Sequence, residues 1–386
     1  DTNGQMLAQA ITGTPGHVNS MAIGVKHFLD KYPIDSMKEG DVFITNDPWL
    51  TCGHLHDLTV VTPVFQNGNP VGSFASTAHV VDIGGRGFGP DGRAVFEEGL
   101  YIPIMPLVRG GSINQDLLEM VRWNVREPLQ VEGDILSLIA CNQEGARRLL
   151  AMMEEFKLSK LDDLSRTILT RSREATLTSI RNLPYGTYHN SLTMDGYDEP
   201  ITLNASMTIG DEGIHVDFAG SSPVSQYGIN VVLNYTIAYT TFGVKCAVAK
   251  DVPNNAGSLS AITVSAPEGS ILNAPRPYPV ATRHVIGHML PDTVFGCLHK
   301  AIPGHIPAEG ASSLWIVQLR GGEERANKKD RNNSDRKDQP FEIALFNSGG
   351  AGARPQKDGL STTAFPSGVR TMPVEATETL APIIVW

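Results

Sequence analysis

The residue types that bind divalent metals gather in one short stretch. The run Thr45-Asn46-Asp47-Pro48-Trp49-Leu50-Thr51-Cys52-Gly53-His54-Leu55-His56-Asp57 sets two imidazoles and a carboxylate where an apolar segment, Leu58 to Val64, begins. The next apolar segment, Ser73 to Asp82, carries a third imidazole, His79, and another acid, Asp82. His54/Asp57 and His79/Asp82 both stand in an H-x-x-D frame. Imidazole and carboxylate donors together suit Zn, Mn or Fe, and three protein ligands leave positions open for water or substrate. His54, Asp57 and His79 are therefore the candidate metal ligands. Asp82, or Asp47 if it turns inward, is a candidate to orient a ligand imidazole or accept a proton. An ordinary structural account competes with this one: Asp57 caps backbone amides, and His79 is a hydrogen-bonded core histidine.

The elements around these residues decide whether they can meet. Apolar alternation predicts a strand starting at or just after Asp57, which leaves His54 to Asp57 in the loop that feeds it. In a regular strand, positions i and i+3 would face opposite ways; in a loop they can turn to one point. Gln66-Asn-Gly-Asn69 predicts a tight hairpin, so the strand bearing His79 returns antiparallel toward the His54/Asp57 end. Cys52, beside His54, is a possible ligand or nucleophile, or simply a buried thiol. His17, before a predicted helix through Met21 to Leu29, reads best as a hydrogen-bonding residue at that helix's start. His284 and His288 stand at i and i+4, as on zinc-binding helices, but H-E-x-x-H is absent and Pro291 perturbs the segment.

The rest of the chain supplies scaffold. With 386 residues, 41% hydrophobic and 19% charged, the composition is that of a globular protein of one large or several ordinary domains. A net charge of -10 argues against nucleic acid or an anionic membrane as partner, and no apolar run is long enough to span a bilayer. Four scattered cysteines with no C-x-x-C point to a reducing cytoplasm. Both ends, Gly4 to Gln9 and Ala381 to Trp386, read as strands cut short, so native sequence is expected beyond each. The fold class is α+β, with mixed and antiparallel sheets and long amphipathic helices. Residues 1–110 form a strand-rich metal-site region, 111–183 a long-helix region (Asp134 to Phe156 and Leu161 to Leu183), and 184–386 a second α+β region. A charged loop is expected near 323–339, between strands at Trp315–Leu319 and Phe341–Phe346. The glycine-rich run Asp82 to Pro90 permits close backbone approach to a ligand, but it is not a phosphate loop.

Several of these motifs resemble the hydantoinase B/oxoprolinase family. They are Asn46-Asp47-Pro48, the stretch Gly53 to Pro63, Ala78-His79 with Asp82-Ile-Gly-Gly85, and Ala146 to Leu150. Further along, Val216 to Ser222, Ala266 to Ser270, Gly349 to Pro355 and Ala364 to Val369 match in family order. The resemblance implies a subunit of an ATP-dependent hydantoinase, 5-oxoprolinase or lactamase, with acetone and acetophenone carboxylases as relatives. It implies a hetero-oligomer in which ATP is bound by a hydantoinase A-type partner, which phosphorylates a carbonyl or enol oxygen of a small-molecule substrate. In the carboxylase relatives the H-x-x-D pair and the histidine of the next strand hold the metal; here these are His54, Asp57 and His79. Many members have Pro where His56 stands, which leaves His56 a spare ligand, a base or a tolerated change. Two other readings stay open: a component of a ketone carboxylase using the same metal, and a scaffold without chemistry.

Overall fold

The computed structural model describes residues 1–10, 13–312, 314–321, 341–361, 363–369, 372–380, 383 and 384. The first sheet has the order β3-β2-β1-β4-β5. Its strands are β1 (Val42–Thr45), β2 (Asp57–Gln66), β3 (Asn69–His79), β4 (Met105–Arg109) and β5 (Ser112–Ile113). Helix α1 (Pro15–Lys31) covers one face, and the second of the two helices α2 (Gln115–Asn124) and α3 (Pro128–Glu155) covers the other. The side chains of β2 divide accordingly. Val61 packs with Phe28 and Phe43 under α1, while Leu58 and Val60 join Ile135 and Leu138 on the α3 side. Both faces being covered, β2 is buried along most of its length, Thr59 and Thr62 included.

The hairpin forms where the sequence places it. Asn67 and Gly68 both take positive φ, 51° and 78°, the two-residue turn whose twist matches antiparallel strands. That turn sets the register, and the register pairs Asp57 directly with His79. A slip of one residue would send His79 to the α3 face, away from Asp57.

Beyond the first sheet lie α4 (Asp162–Arg181) and a second, mixed sheet of order β6-β7-β8-β9. It comprises β6 (Gly186–Met194), β7 (Ile201–Gly210) and β8 (Gly213–Asp217), then β9 (Ile262–Ser265), which runs parallel to β8. Between the last two come α5 (Leu233–Val248) and the short α6 (Ala256–Leu259). One-turn α7 (His284–Gly287) and α8 (Leu290–Ala301) follow, then the β10 (Leu314–Gly321) and β11 (Phe341–Ser348) pair and α9 (Val374–Leu380). The fold is α+β with mixed and antiparallel sheets, as expected. One apolar cluster draws Val60, Leu138 and Val294 together, so all three regions of the chain share a core. No helix among the described residues is long and apolar enough to cross a membrane.

Several boundaries differ from expectation for identifiable reasons. Residues Gly4 to Gln9 form no strand. Helix α1 starts at Pro15 and α3 at Pro128, earlier than the apolar periodicity implies, because proline in the first turn needs no amide partner. The helix expected through His284 and His288 is broken into α7 and α8, with Pro291 in the first turn of α8. The charged run 323–339 and most of the final apolar run lie outside the described residues.

Candidate metal centre

Asp57 opens β2 with its side chain on the α1 face, His79 closes β3 opposite it, and His54 sits in the turn three residues back. Their donor atoms meet. His54 Nε2 lies 2.8 Å from Asp57 Oδ1, and His79 Nδ1 lies 3.2 Å from each of them. These edges are the size of one face of a coordination polyhedron with bonds of about 2.1 Å to imidazole and carboxylate ligands. It is the one group of three His, Cys, Asp or Glu side chains among the described residues whose donor atoms converge so closely. His54 and Asp57 are buried, whereas His79 is about a quarter exposed, so the triad opens on its His79 side.

The hydrogen bonds around the triad fix how each ligand points. His54 Nδ1 stands 2.7 Å from the carbonyl of Ala281, which can only accept, so that nitrogen carries the hydrogen. Arg283 Nη1 also lies 3.1 Å from it, but two donors cannot bond, and the shorter contact decides. The lone pair of His54 therefore sits on Nε2, facing the carboxylate oxygen at 2.8 Å. Two acceptors held so close repel one another unless a cation lies between them. The residues present thus fit a divalent metal, on the chemistry of their donors and not on proximity alone. Asp57 Oδ2 is held from behind by Arg283 Nη2 at 2.6 Å and by His17 Nε2 at 2.9 Å, which turns Oδ1 inward.

The electrostatics agree. Burial, then the Arg283 cation, pull His54 down to about 3, so its imidazole is neutral and able to ligate. For Asp57, burial works to raise the pKa, but His17, His54 and Arg283 outweigh it and hold the carboxyl well below its usual range. Burial and the Asp57 charge push the Cys52 thiol up to about 11. Its sulfur faces Thr59 and Thr77 and is not among the converging donors of His54, Asp57 and His79, so Cys52 reads as a buried thiol beside the cluster.

His56 is fully buried, stacked on His79 with ring centroids 5.4 Å apart, and neither of its nitrogens has a hydrogen-bond partner. Phe88, from the glycine-rich loop, roofs the whole cluster. Its ring centroid lies 5.7, 5.0 and 4.9 Å from those of His54, His56 and His79, and 5.5 Å from His284. Phe88 also lines a cavity of about 310 Å³, together with Tyr197, Thr282, His284, Leu314 and Gln318. His284 thus belongs to the cavity wall and not to the triad. His288 packs against Tyr239 and reaches Tyr235 Oη at 3.5 Å.

Two expected acids are occupied elsewhere. Asp82 accepts from the amides of Gly84 and Arg126 and pairs with the Arg126 guanidinium, so it braces its loop and does not orient a ligand. Asp47 accepts from Trp49 N at 3.0 Å and pairs with Arg276. His17 and Arg283, by contrast, reach the centre although sequence reasoning set one aside and passed over the other. A buried acid, Glu98, was passed over as well. Its Oε1 accepts from the amides of Val280 and Ala281 at 2.7 and 2.9 Å, while its buried Oε2 has no partner.

Burial pushes Glu98 up to about 7 from its ordinary 4.5, against the pull of those two amides. The unfolded chain ionises this group sooner, so its contribution to stability is complete below pH about 4.5 and is lost as pH rises through 7. Glu98→Gln removes that dependence. Urea melts from pH 4.5 to 8 should show the variant gaining on the wild type by up to about 3 kcal/mol, at 1.36 kcal/mol per pKa unit. Parallel curves would contradict the raised pKa.

The family described as Hydantoinase B/oxoprolinase matches the chain over residues 1–386. The B-type component of a putative D-/L-hydantoinase from a Pseudomonas species is 27% identical over 342 residues, covering 83% of this chain and 57% of that protein. Among solved structures, the ATP-dependent caprolactamase of Pseudomonas jessenii superposes with a TM-score of 0.88 at 23% identity, over 99% of this chain and 66% of that one. A nucleotide-free acetone carboxylase gives 0.86 at 18% identity, over 99% and 52%. These two likenesses establish the fold. The chain spans a little over half the length of the curated relatives it matches at greatest extent.

Proposed function

Because this chain belongs to the hydantoinase B/oxoprolinase family, we propose that it is the B-type component of an ATP-dependent cyclic amide hydrolase. Its substrate class is a hydantoin, oxoproline or lactam ring, and its partner is an A-type protein that binds ATP and phosphorylates the ring carbonyl oxygen. The convergence of His54 Nε2, Asp57 Oδ1 and His79 Nδ1 within 3.2 Å of one another carries the reading.

His54, Asp57 and His79 would hold a divalent metal, Zn, Mn or Fe. When bound, such an ion supplies the charge that makes a water a nucleophile near neutral pH. The chain's own groups do the rest. Ala281 fixes the His54 tautomer, and Arg283 with His17 takes up the second Asp57 oxygen. Phe88 stands edge-on over His54, His56 and His79, which narrows the access of bulk water to a substrate phosphorylated on its ring carbonyl oxygen. The cavity that Phe88 and His284 line is of a size to seat a small ring. His56, buried one residue from Asp57 with both nitrogens free of partners, is held neutral by its burial, well below the usual imidazole range, so it walls the cluster and is a weak proton acceptor.

The test is a reconstitution with an A-type partner, ATP and a panel of hydantoin, 5-oxoproline and lactam substrates, with and without bicarbonate. Ring opening that needs ATP and both proteins, and is indifferent to bicarbonate, is the expected result. A bicarbonate-dependent product with a new carbon–carbon bond would replace hydrolysis by ketone carboxylation. A complex that forms but never retains metal would leave this chain a scaffold.

A further inference from the structure

We infer that Glu98 is a positioning residue of the metal centre, acting through the backbone segment 280–283 that orients both His54 and Asp57. The inference rests on the metal site proposed above. Glu98 follows a short 3-10 turn, Val95–Glu97, and is almost wholly buried. One carboxyl oxygen bridges two consecutive amides, those of Val280 and Ala281. The same Ala281 turns its carbonyl to His54 Nδ1, and two residues later Arg283 reaches Asp57 Oδ2 and the carbonyl of Cys52. A single four-residue segment therefore supplies the outer contacts of two of the three candidate ligands, and Glu98 sets its position.

The segment's other anchors lie on its far half or beside it. Thr282 N and Oγ1 both bond Gly228 O, and Asn230 Nδ2 bonds Pro279 O, which leaves Glu98 as the acceptor for the amides of Val280 and Ala281. Gly228 closes over the carboxylate, where a Cβ would stand 3.1 Å from Glu98 Oε1. The absence of a side chain at residue 228 thus leaves room for the acceptor oxygen. A buried carboxyl with one oxygen unpartnered is a costly choice if packing alone were required. An acceptor aimed at two successive amides is what it provides instead.

Co²⁺ titrated into the metal-free full chain tests this, because its visible absorption reports ligand arrangement without any turnover. Glu98→Ala should bind Co²⁺ about 10- to 100-fold more weakly, the range seen when an outer contact of a metal site is lost, with an altered band pattern. Glu98→Gln keeps an acceptor oxygen and should restore wild-type affinity and bands. Met153→Ala, which hollows a separate small core cluster, should lower stability and leave Co²⁺ binding unchanged. If Glu98→Ala does not fold, Glu98→Asp, too short to bridge both amides, is read in its place. Wild-type affinity and spectrum in the Ala or Asp variant, with binding lost in His79→Ala, would overturn the role of Glu98 alone. No binding by the wild type would overturn the metal site itself.

Discussion

His79→Ala is expected to leave the fold intact, to strip the chain of its metal and to silence substrate turnover. The three effects separate because of where His79 sits. It ends β3, an edge strand, and is about a quarter exposed, so truncation opens no core cavity and costs little stability. Yet it provides one of only three donors. Loss of a direct ligand should exceed the 10- to 100-fold that loss of an outer contact brings, so affinity should fall by more than about 100-fold. Turnover by the reconstituted complex should fall by about 100-fold or more, as when a well-placed electrostatic group is removed from an active site. Metal content by plasma emission, a thermal melt and the ATP-dependent assay read the three effects on one preparation. A variant that keeps stoichiometric metal would mean that His79 is a hydrogen-bonded core histidine after all.

Much of this geometry was legible because it is local. Gln66 to Asn69 announces a tight hairpin, the hairpin fixes the register, and the register brings His79 opposite Asp57. Loop conformation then lets His54 and Asp57, three residues apart, point the same way. What the sequence hid are the contacts made across the chain. Arg283 meets Asp57 from 226 residues away, and nothing in the types around it marks one arginine among so many. His17 reaches Asp57 only because α1 packs on the β2–β3 face, a tertiary fact that local pattern does not carry. Asp82 differs from expectation for the converse reason: its H-x-x-D frame looks like that of Asp57, but Arg126, 44 residues on, takes its carboxylate. Glu98 and Phe88 lie in loops with no periodicity, where residue type alone carries little signal. The α3 start was missed because Pro128 can open a helix as well as end one.

Arg283→Met should destabilise the metal-free chain by about 3–5 kcal/mol, the cost of removing one partner from a buried ion pair. Asp57 is wholly buried and Arg283 nearly so, with Nη2 at 2.6 Å from Oδ2 and the guanidinium 4.2 Å above the Tyr235 ring. Methionine keeps much of the stem's volume against Tyr235, so the loss reports charge more than packing. The sharper expectation concerns metal. With Arg283 gone, only His17 stands behind the Asp57 carboxylate, and a divalent ion in front becomes its main compensation. A second positive charge close to the site is also removed, which favours cation binding. The unfolding midpoint of the variant should therefore rise more on adding Zn²⁺ than that of the wild type. Ligand at 100 times its dissociation constant contributes about 2.7 kcal/mol, enough to recover most of the loss. An equal or smaller rise would mean that Arg283 and the metal do not share the Asp57 charge. The carboxylate would then be a structural anchor, and the donors of His54 and His79 would have to bind a cation without it.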